Sequence, residues 1–219
     1  MKKHNIIRRI VSVLLAAILL LSLCPMAFAD EDKILSIGTQ EELLEFAKSC
    51  ASDTYSKGLT VRLTSDIDAG GQSISIPVFY GTFDGQGHHI YSLSLTDSAS
   101  GYGLFSRVER GAVVKDLSVE GDVTPSGTQS QVGGIAGVNA GRIENCIFSG
   151  IVMGGDYVGG IAGKNETGGE ISDCRASGVV RGSQFTGGIA GQNSGTLLNC
   201  ANTAAVNTPV SEDDMAADL

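Results

Sequence analysis

The sequence lacks the residues that most catalytic and metal-binding motifs require. Its three histidines, His4, His88 and His89, form no HExxH motif, which excludes a zinc peptidase of that type. Its five cysteines form no CxxC pair and have no histidine nearby, which excludes a cysteine zinc site. No GxxxxGKS/T loop is present, so the glycine-rich segments do not cradle phosphate. We therefore predict no catalytic residue, no cofactor and no metal.

Positive charge is also scarce. The 219 residues include 15 lysines and arginines against 24 aspartates and glutamates, which gives a net charge of −9. Nucleic-acid binding needs clusters of basic residues, so the composition excludes that class of partner. A strongly acidic surface is typical of a protein that stays soluble outside the cell.

Long hydrophobic runs are absent except at the N-terminus. The apolar segment Ile10–Leu23 follows a short basic stretch and precedes the small-x-small cleavage site Ala27–Ala29. This order predicts a secretory signal peptide over residues 1–29 and a secreted or cell-surface protein. A lipid anchor on Cys24 is disfavoured because Leu23 and Pro25 are unfavourable neighbours for a lipid-modified cysteine. No other run is long enough to cross a bilayer, so no membrane span is expected after cleavage.

Against these absences stands an internal repeat. The sequence GGIAG occurs at Gly133–Gly137, Gly159–Gly163 and Gly187–Gly191, at spacings of 26 and 28 residues. Each copy is followed by an asparagine, then by an isoleucine or leucine with a cysteine three residues after it. A fixed period of this size predicts a stacked solenoid, because no single unit can bury its apolar face alone.

The spacing within each unit predicts strands. Ile143, Cys146 and Phe148 stand at positions i, i+3 and i+5, and earlier units from Val114 and Ile90 repeat this spacing. The last step is strand alternation, and the first implies a bend. Short β-branched segments separated by Gly, Asn, Asp and Ser predict a parallel β-helix of about five or six coils over residues 59–206. The clear units are 132–157, 158–185 and 186–206.

The two ends of the mature chain differ from the repeats. Thr39 and Glu42 form a capping box, which predicts a helix over about residues 40–51 within an N-terminal segment 30–58. A solenoid needs a cover over its open end, and this helix is placed to provide it. Residues 207–219 are polar and acidic and are expected to be disordered. The absence of a second capping element suggests truncation or divergence from a larger parent.

Repeated positions predict ladders of like side chains. The asparagines are expected to stack as a structural amide ladder of Asn139, Asn165 and Asn193. A second ladder consists of Cys146, Cys174 and Cys200. Their even number, with Cys50, in a secreted chain allows disulfides. The Leu117 at the same repeat position favours buried free thiols instead, and stacked strands are too far apart for an undistorted bridge.

An aromatic column supplies the best candidate for binding. Tyr157 and Phe185 occupy equivalent positions before their glycine pairs, with Gln131 in the coil below. Facing outward, they would form a small stripe able to hold a sugar or a protein. Facing inward, they would belong to the core, and the sequence slightly favours this orientation. The polar segments 97–102 and 124–131 are further candidates for recognition.

Taken together, these motifs resemble those of the GLUG-repeat family. The resemblance rests on Leu63–Asp68, Gly81–His88, Gly103–Phe105 and the GGIAG units, and it covers roughly residues 34–206. Such repeats occur in secreted and cell-wall proteins of Gram-positive bacteria and in the non-catalytic region of immunoglobulin A1-protease-type metallopeptidases. The resemblance implies a right-handed parallel β-helix on a cell surface, with an adhesive or structural role and no common active site.

Three functions remain open. The favoured one is adhesion or extracellular scaffolding through a host or cell-wall glycan or protein. A polysaccharide lyase or hydrolase would need carboxylates clustered on one face, for which the candidates are Asp66, Asp68, Asp84 and His88. The third is a structural spacer. Asp66–Gly70 begins like a calcium loop, but Pro77 at its twelfth position excludes an EF-hand.

Overall fold

A computed structural model describes residues 33–52, 54–96 and 102–207. The predicted signal peptide and nearly all of the predicted acidic tail lie outside these residues. The same holds for most of the candidate recognition segment 97–102.

The described chain contains one helix and twenty short strands. Helix α1 spans Gln40–Ser49. The strands are β1 Lys33–Ile37, β2 Leu59–Leu63, β3 Ile67–Asp68, β4 Ile76–Phe79, β5 Thr82–Asp84, β6 His89–Leu95, β7 Phe105–Val108, β8 Val113–Val123, β9 Val132–Gly133, β10 Ala136–Asn139, β11 Arg142–Met153, β12 Asp156–Gly159, β13 Ala162–Asn165, β14 Glu170–Ser172, β15 Arg175–Arg181, β16 Gln184–Gly187, β17 Ala190–Asn193, β18 Thr196–Leu198, β19 Ala201–Asn202 and β20 Ala205–Val206.

The strands stack into three parallel sheets. Sheet A has twelve strands, in the main order β1-β2-β5-β8-β11-β14-β18; sheet B has the order β17-β13-β10-β7-β4, and sheet C the order β16-β12-β9. Each strand pairs with the strand at the equivalent position one coil further along the chain, as β11 does with β8 and β15. The predicted parallel β-helix is confirmed as a parallel solenoid of about six turns with a single short helix.

The bend implied by the i, i+3, i+5 spacing is a backbone corner in the left-handed region. Asp116, Asn145, Asp173 and Asn199 have φ between 49° and 54°, and each directly precedes the leucine or cysteine of its unit. Short polar side chains tolerate this conformation better than most residues. The corner lets Ile143 and Cys146 both point into the core although three positions separate them.

The GGIAG glycines allow neighbouring coils to approach each other closely. A Cβ on Gly159 would collide with the carbonyl oxygen of Ala162 and with the backbone of Ala190 in the next coil. A Cβ on Gly134 would overlap the ring of Phe148. Only glycine lets the coils approach at the strand spacing of about 4.8 Å here.

Helix α1 begins at the predicted capping box and ends two residues earlier than predicted. The Thr39 hydroxyl accepts a hydrogen bond from the Glu42 N–H, and the Glu42 carboxylate accepts one from the Thr39 N–H. The buried face of the helix carries Leu43, Phe46 and Ala47. The helix therefore contributes its apolar stripe to the core, as a solenoid cap requires.

Four phenylalanines join the helix to the first coils. Phe46 lies 6.2 Å from both Phe79 and Phe83, measured between ring centroids, and Phe105 lies 5.3 Å from each of the latter two. We call Phe46, Phe79, Phe83 and Phe105 the aromatic cluster. Tilted and edge-on contacts of this kind add to the stabilisation from burial.

Candidate functional site

Tyr157 and Phe185 lie side by side on neighbouring coils of sheet C. The register of β12 and β16 pairs Asp156 with Gln184 and Val158 with Thr186, which places the two aromatic residues at equivalent positions. Their rings are stacked with centroids 4.9 Å apart and planes 7° from parallel. The stack therefore runs along the solenoid axis at the spacing of the coils.

The stack faces outward, so the inward orientation favoured by the sequence is wrong. Phe185 is 56% exposed and Tyr157 is half-buried, while the adjacent Val158 is fully buried. Both aromatic residues, and Gln131 in the coil below, have φ between 53° and 65°. This left-handed backbone places a bend at the N-terminal end of each sheet C strand. Among the described rings, only Tyr157 stacks on Phe185, and Phe185 keeps more than half of its surface exposed.

The three repeat asparagines form a continuous amide ladder. Asn139 Nδ2 donates to Asn165 Oδ1, and Asn165 Nδ2 donates to Asn193 Oδ1, both at 2.8 Å. Asn139 and Asn165 are fully buried, whereas Asn193 is exposed. Asn165 also belongs to an Asn-x-Thr glycosylation sequon, but its amide is hydrogen-bonded inside the core and inaccessible to modification. The ladder stabilises the stack of coils, and its buried members Asn139 and Asn165 are not accessible to a ligand.

The cysteines are free thiols at core positions. Cys50, Cys146 and Cys174 are buried and Cys200 is partly exposed. Each of the three repeat cysteines donates its Sγ–H to the carbonyl oxygen two residues before it, at 3.2–3.3 Å. Leu117 pairs with Cys146 in the register of β8 and β11, so leucine and cysteine do share one core column.

We expect the folded protein to resist thiol alkylation at pH 8. Burial raises the pKa of Cys50 to about 11, and contact with Cys174, followed by burial, raises the pKa of Cys146 well above its ordinary value. Since the thiolate is the reactive form, a rise to about 11 lowers the reactive fraction of Cys50 roughly a hundredfold. Peptide mass spectrometry after iodoacetamide treatment should show Cys200 modified first. Equal labelling of all four thiols, as expected in urea, would contradict the buried arrangement.

Two of the candidate catalytic aspartates accept hydrogen bonds from the backbone, Asp66 from the next coil and Asp68 from its own turn. Asp66 Oδ1 accepts the His89 N–H at 2.9 Å and lies 3.1 Å from His88 Nδ1. These contacts, with the His89 N–H as the largest, hold the pKa of Asp66 below its ordinary value. Asp68 Oδ1 accepts the Gly70 N–H at 2.9 Å, which closes a turn.

The third candidate, Asp84, belongs to a charged network on sheet A. Asp84 is buried; its Oδ1 accepts the Gln86 N–H at 3.0 Å, and its Oδ2 lies 3.0 Å from Lys115 Nζ. Lys115 also contacts Asp116, whose other oxygen accepts from Asn145 Nδ2 at 2.7 Å. Asp84 first and then Asp116 raise the pKa of Lys115, so the amine stays charged and holds both carboxylates. An open groove of about 520 Å³ runs beside it.

A second charged network was not predicted from the sequence. Arg107 Nη2 donates to Glu166 Oε2 at 2.8 Å across an intervening coil, and its Nε donates to Glu109 Oε1 at 2.7 Å. Arg107 therefore holds the pKa of Glu166 below its ordinary value. Glu109 and Glu166 share one repeat position, but the residues paired with Arg107 in the adjoining coils are Val78 and Val138, so the repeat pattern does not predict this bridge.

Within the described residues, no three His, Cys, Asp or Glu side chains converge on a point that could hold a metal ion. The same part of the chain contains no helix of the length and hydrophobicity needed to cross a membrane. The candidate recognition segment 124–131 has exposed side chains at Ser126 and Thr128. No other feature of this segment marks it as a binding site.

Comparison with known proteins identifies the repeat. The GLUG motif matches residues 128–153 and 154–181. Each matched segment contains strands from sheets C, B and A in turn, and therefore corresponds to one coil. The matches begin at residues 128 and 154, whereas the units defined from the sequence begin four residues later.

Two individual proteins are similar to this chain. Halomucin of Haloquadratum walsbyi is 34% identical over 95 residues, which cover 43% of this chain and 1% of Halomucin. The chain thus matches only a very small part of that relative. A crystal structure assigned as an immunoglobulin A1 protease from Bacteroides ovatus has a TM-score of 0.56 at 19% identity, covering 83% of this chain and 80% of the other. This structural match extends the shared fold well beyond the two motifs. The chain therefore carries two GLUG motifs, on consecutive coils of a parallel solenoid.

Proposed function

We propose that the chain is an extracellular, non-catalytic β-solenoid module that binds a glycan through the Tyr157–Phe185 stack. The observation that carries this proposal is the outward-facing stack, in which Phe185 is more than half exposed. Aromatic rings of this kind offer apolar area at a fixed position, and the exposed polar neighbours Ser183 and Gln184 can hydrogen-bond to hydroxyl groups. An adhesive or scaffolding role at a cell surface follows from such binding.

The location outside the cell is supported by two independent features. The N-terminal sequence has the organisation of a secretory signal peptide. The similarity to Halomucin, a protein named as a mucin, also favours a surface or secreted protein.

Binding is favoured over catalysis by the state of the carboxylates. A glycosidase or lyase needs acid and base groups free to exchange protons with the substrate. Here Asp68 and Asp84 are committed to turns, and Asp84 is also paired with Lys115. Asp66 is held by the backbone of His89.

The test is retention of the purified protein on a panel of host and cell-wall polysaccharides, with and without calcium, scored also for chain cleavage. We expect retention without cleavage, and we expect Phe185→Ala to weaken binding about tenfold, or about 1.4 kcal/mol. The matched control is Leu198→Ala, which removes an equally exposed apolar side chain from sheet A.

Each other outcome points elsewhere. Cleavage would replace the proposal with a carbohydrate-active enzyme and direct mutagenesis to Asp66, Asp68 and Asp84. Absence of retention would favour the structural spacer. Equal losses of binding affinity in Phe185→Ala and Leu198→Ala would show that the stack is not the binding site.

A further inference from the structure

The outer surface of sheet A carries an exposed apolar row. Ile147, Ile151 and Met153 on β11 are 43%, 36% and 40% exposed, while the alternating Phe148 and Val152 are buried. Strand alternation therefore places the three exposed side chains on one side of the sheet. Large apolar side chains grouped on a surface mark a contact site more often than scattered ones do.

Charges of opposite sign flank this row on the two neighbouring coils. On β8, Glu120 is opposite Ser149 and Asp122 is opposite Ile151. On β15, Arg175 is opposite Ile147 and Arg181 is opposite Met153. We call these three adjacent rows, acidic on β8, apolar on β11 and basic on β15, the banded face.

The flanking charges are not neutralised by one another. In the described part of the chain, neither arginine of the banded face has a carboxylate within ion-pair distance. Asp122 likewise has no basic side chain within that distance. Glu120 lies 3.7 Å from His89 Nε2, an ion pair that exists only when the histidine is protonated. The apolar row separates the two charged rows by the width of a coil on each side, about 4.8 Å.

We propose that the banded face is the contact surface between two copies of this chain. A two-fold axis parallel to β11 reverses the order of the rows, so the acidic row of each copy faces the basic row of the other. The two apolar rows then meet in the centre. A two-fold axis along the solenoid would instead oppose like charges. The face is thus self-complementary in one orientation, which is the requirement for an isologous dimer.

A second copy fits better than an unrelated partner because the banded face carries both the acidic row and the basic row that pairs with it. The small side chains Ser118, Ser149 and Ser177 leave room beside the apolar row for a facing copy. The banded face lies on sheet A, whereas Tyr157 and Phe185 belong to sheet C, so the dimer does not depend on the proposed ligand site.

The experiment uses two charge-reversed variants and their mixture. Variant one combines Arg175→Glu and Arg181→Glu; variant two combines Glu120→Lys and Asp122→Lys. Sedimentation velocity over a range of concentrations should show a reversible dimer for the wild type and a monomer for each variant. An equimolar mixture should restore the dimer, because every acidic row then faces a basic one.

A control variant separates the face from general charge effects. Lys33→Glu with Arg62→Glu changes the net charge as much as variant one does, at exposed positions on β1 and β2, and should still dimerise. Circular dichroism should show the same strand content in all variants. A monomeric wild type, a dimer in either variant alone, loss of the dimer in the control, or a mixture that stays monomeric would each overturn the proposal.

Discussion

Replacing Phe83 with alanine is expected to lower the free energy of unfolding by about 4 kcal/mol. Phe83 is fully buried and contacts the other three rings of the aromatic cluster, with centroids at 5.3–6.2 Å. Removal of its ring would open a cavity where helix α1 meets the coils, and well-packed rings on every side leave little scope for collapse. The loss should exceed the burial term alone, because edge-on ring contacts are lost with it.

The measurement is urea unfolding followed by circular dichroism, since the chain has no tryptophan to serve as a fluorescent reporter. Phe185→Ala is the matched control, because it removes the same ring from an exposed position and should cost only about 1 kcal/mol. If both substitutions cost the same, the aromatic cluster would not be the anchor between helix and solenoid.

Replacing Asn165 with alanine is expected to cost about 3 kcal/mol. Its side chain accepts a hydrogen bond from Asn139 and donates to Asn193 Oδ1 and to the carbonyl oxygens of Gly169 and Thr196. Alanine would leave these groups without that partner in a site from which water is excluded. Unmade hydrogen bonds at buried positions cost more than the same bonds at the surface.

The ladder itself supplies the control for this prediction. Asn193→Ala removes the exposed end of the same ladder, where water can replace the lost partner, and should cost about 1 kcal/mol or less. Because Asn139 and Asn165 are in direct contact, the double alanine variant should lose less than the sum of the two single variants. Additive losses would show that the amides contribute independently of one another.

The repeat pattern predicted the neighbours of each residue much better than the direction of its side chain. In a solenoid, equal repeat positions become stacked positions, which is why Tyr157 was correctly placed beside Phe185. Whether that pair faces the core depends on φ at one residue. Aromatic residues rarely adopt positive φ. Residue preferences therefore do not predict the backbone bend that turns both rings outward.

Contacts that break the repeat were inaccessible to sequence reasoning for a different reason. The Arg107–Glu166 bridge joins residues 59 positions apart and skips the coil between them. A pattern argument relates each position to its own copies, as it relates Glu109 to Glu166, but not to a residue at a different repeat position two coils away. The banded face is intermediate, because the register follows from the repeat while its charges vary from coil to coil.

The shared register has a consequence for how such a chain can change in evolution. The coils that contain the GGIAG units offer matching backbone edges to one another and share the asparagine column. Duplication of one unit of 26 or 28 residues would insert a coil whose neighbours already match it, and would lengthen the solenoid by about 4.8 Å. Reach can therefore be adjusted in whole steps by gene duplication, while the surface decoration of each step remains free to diverge.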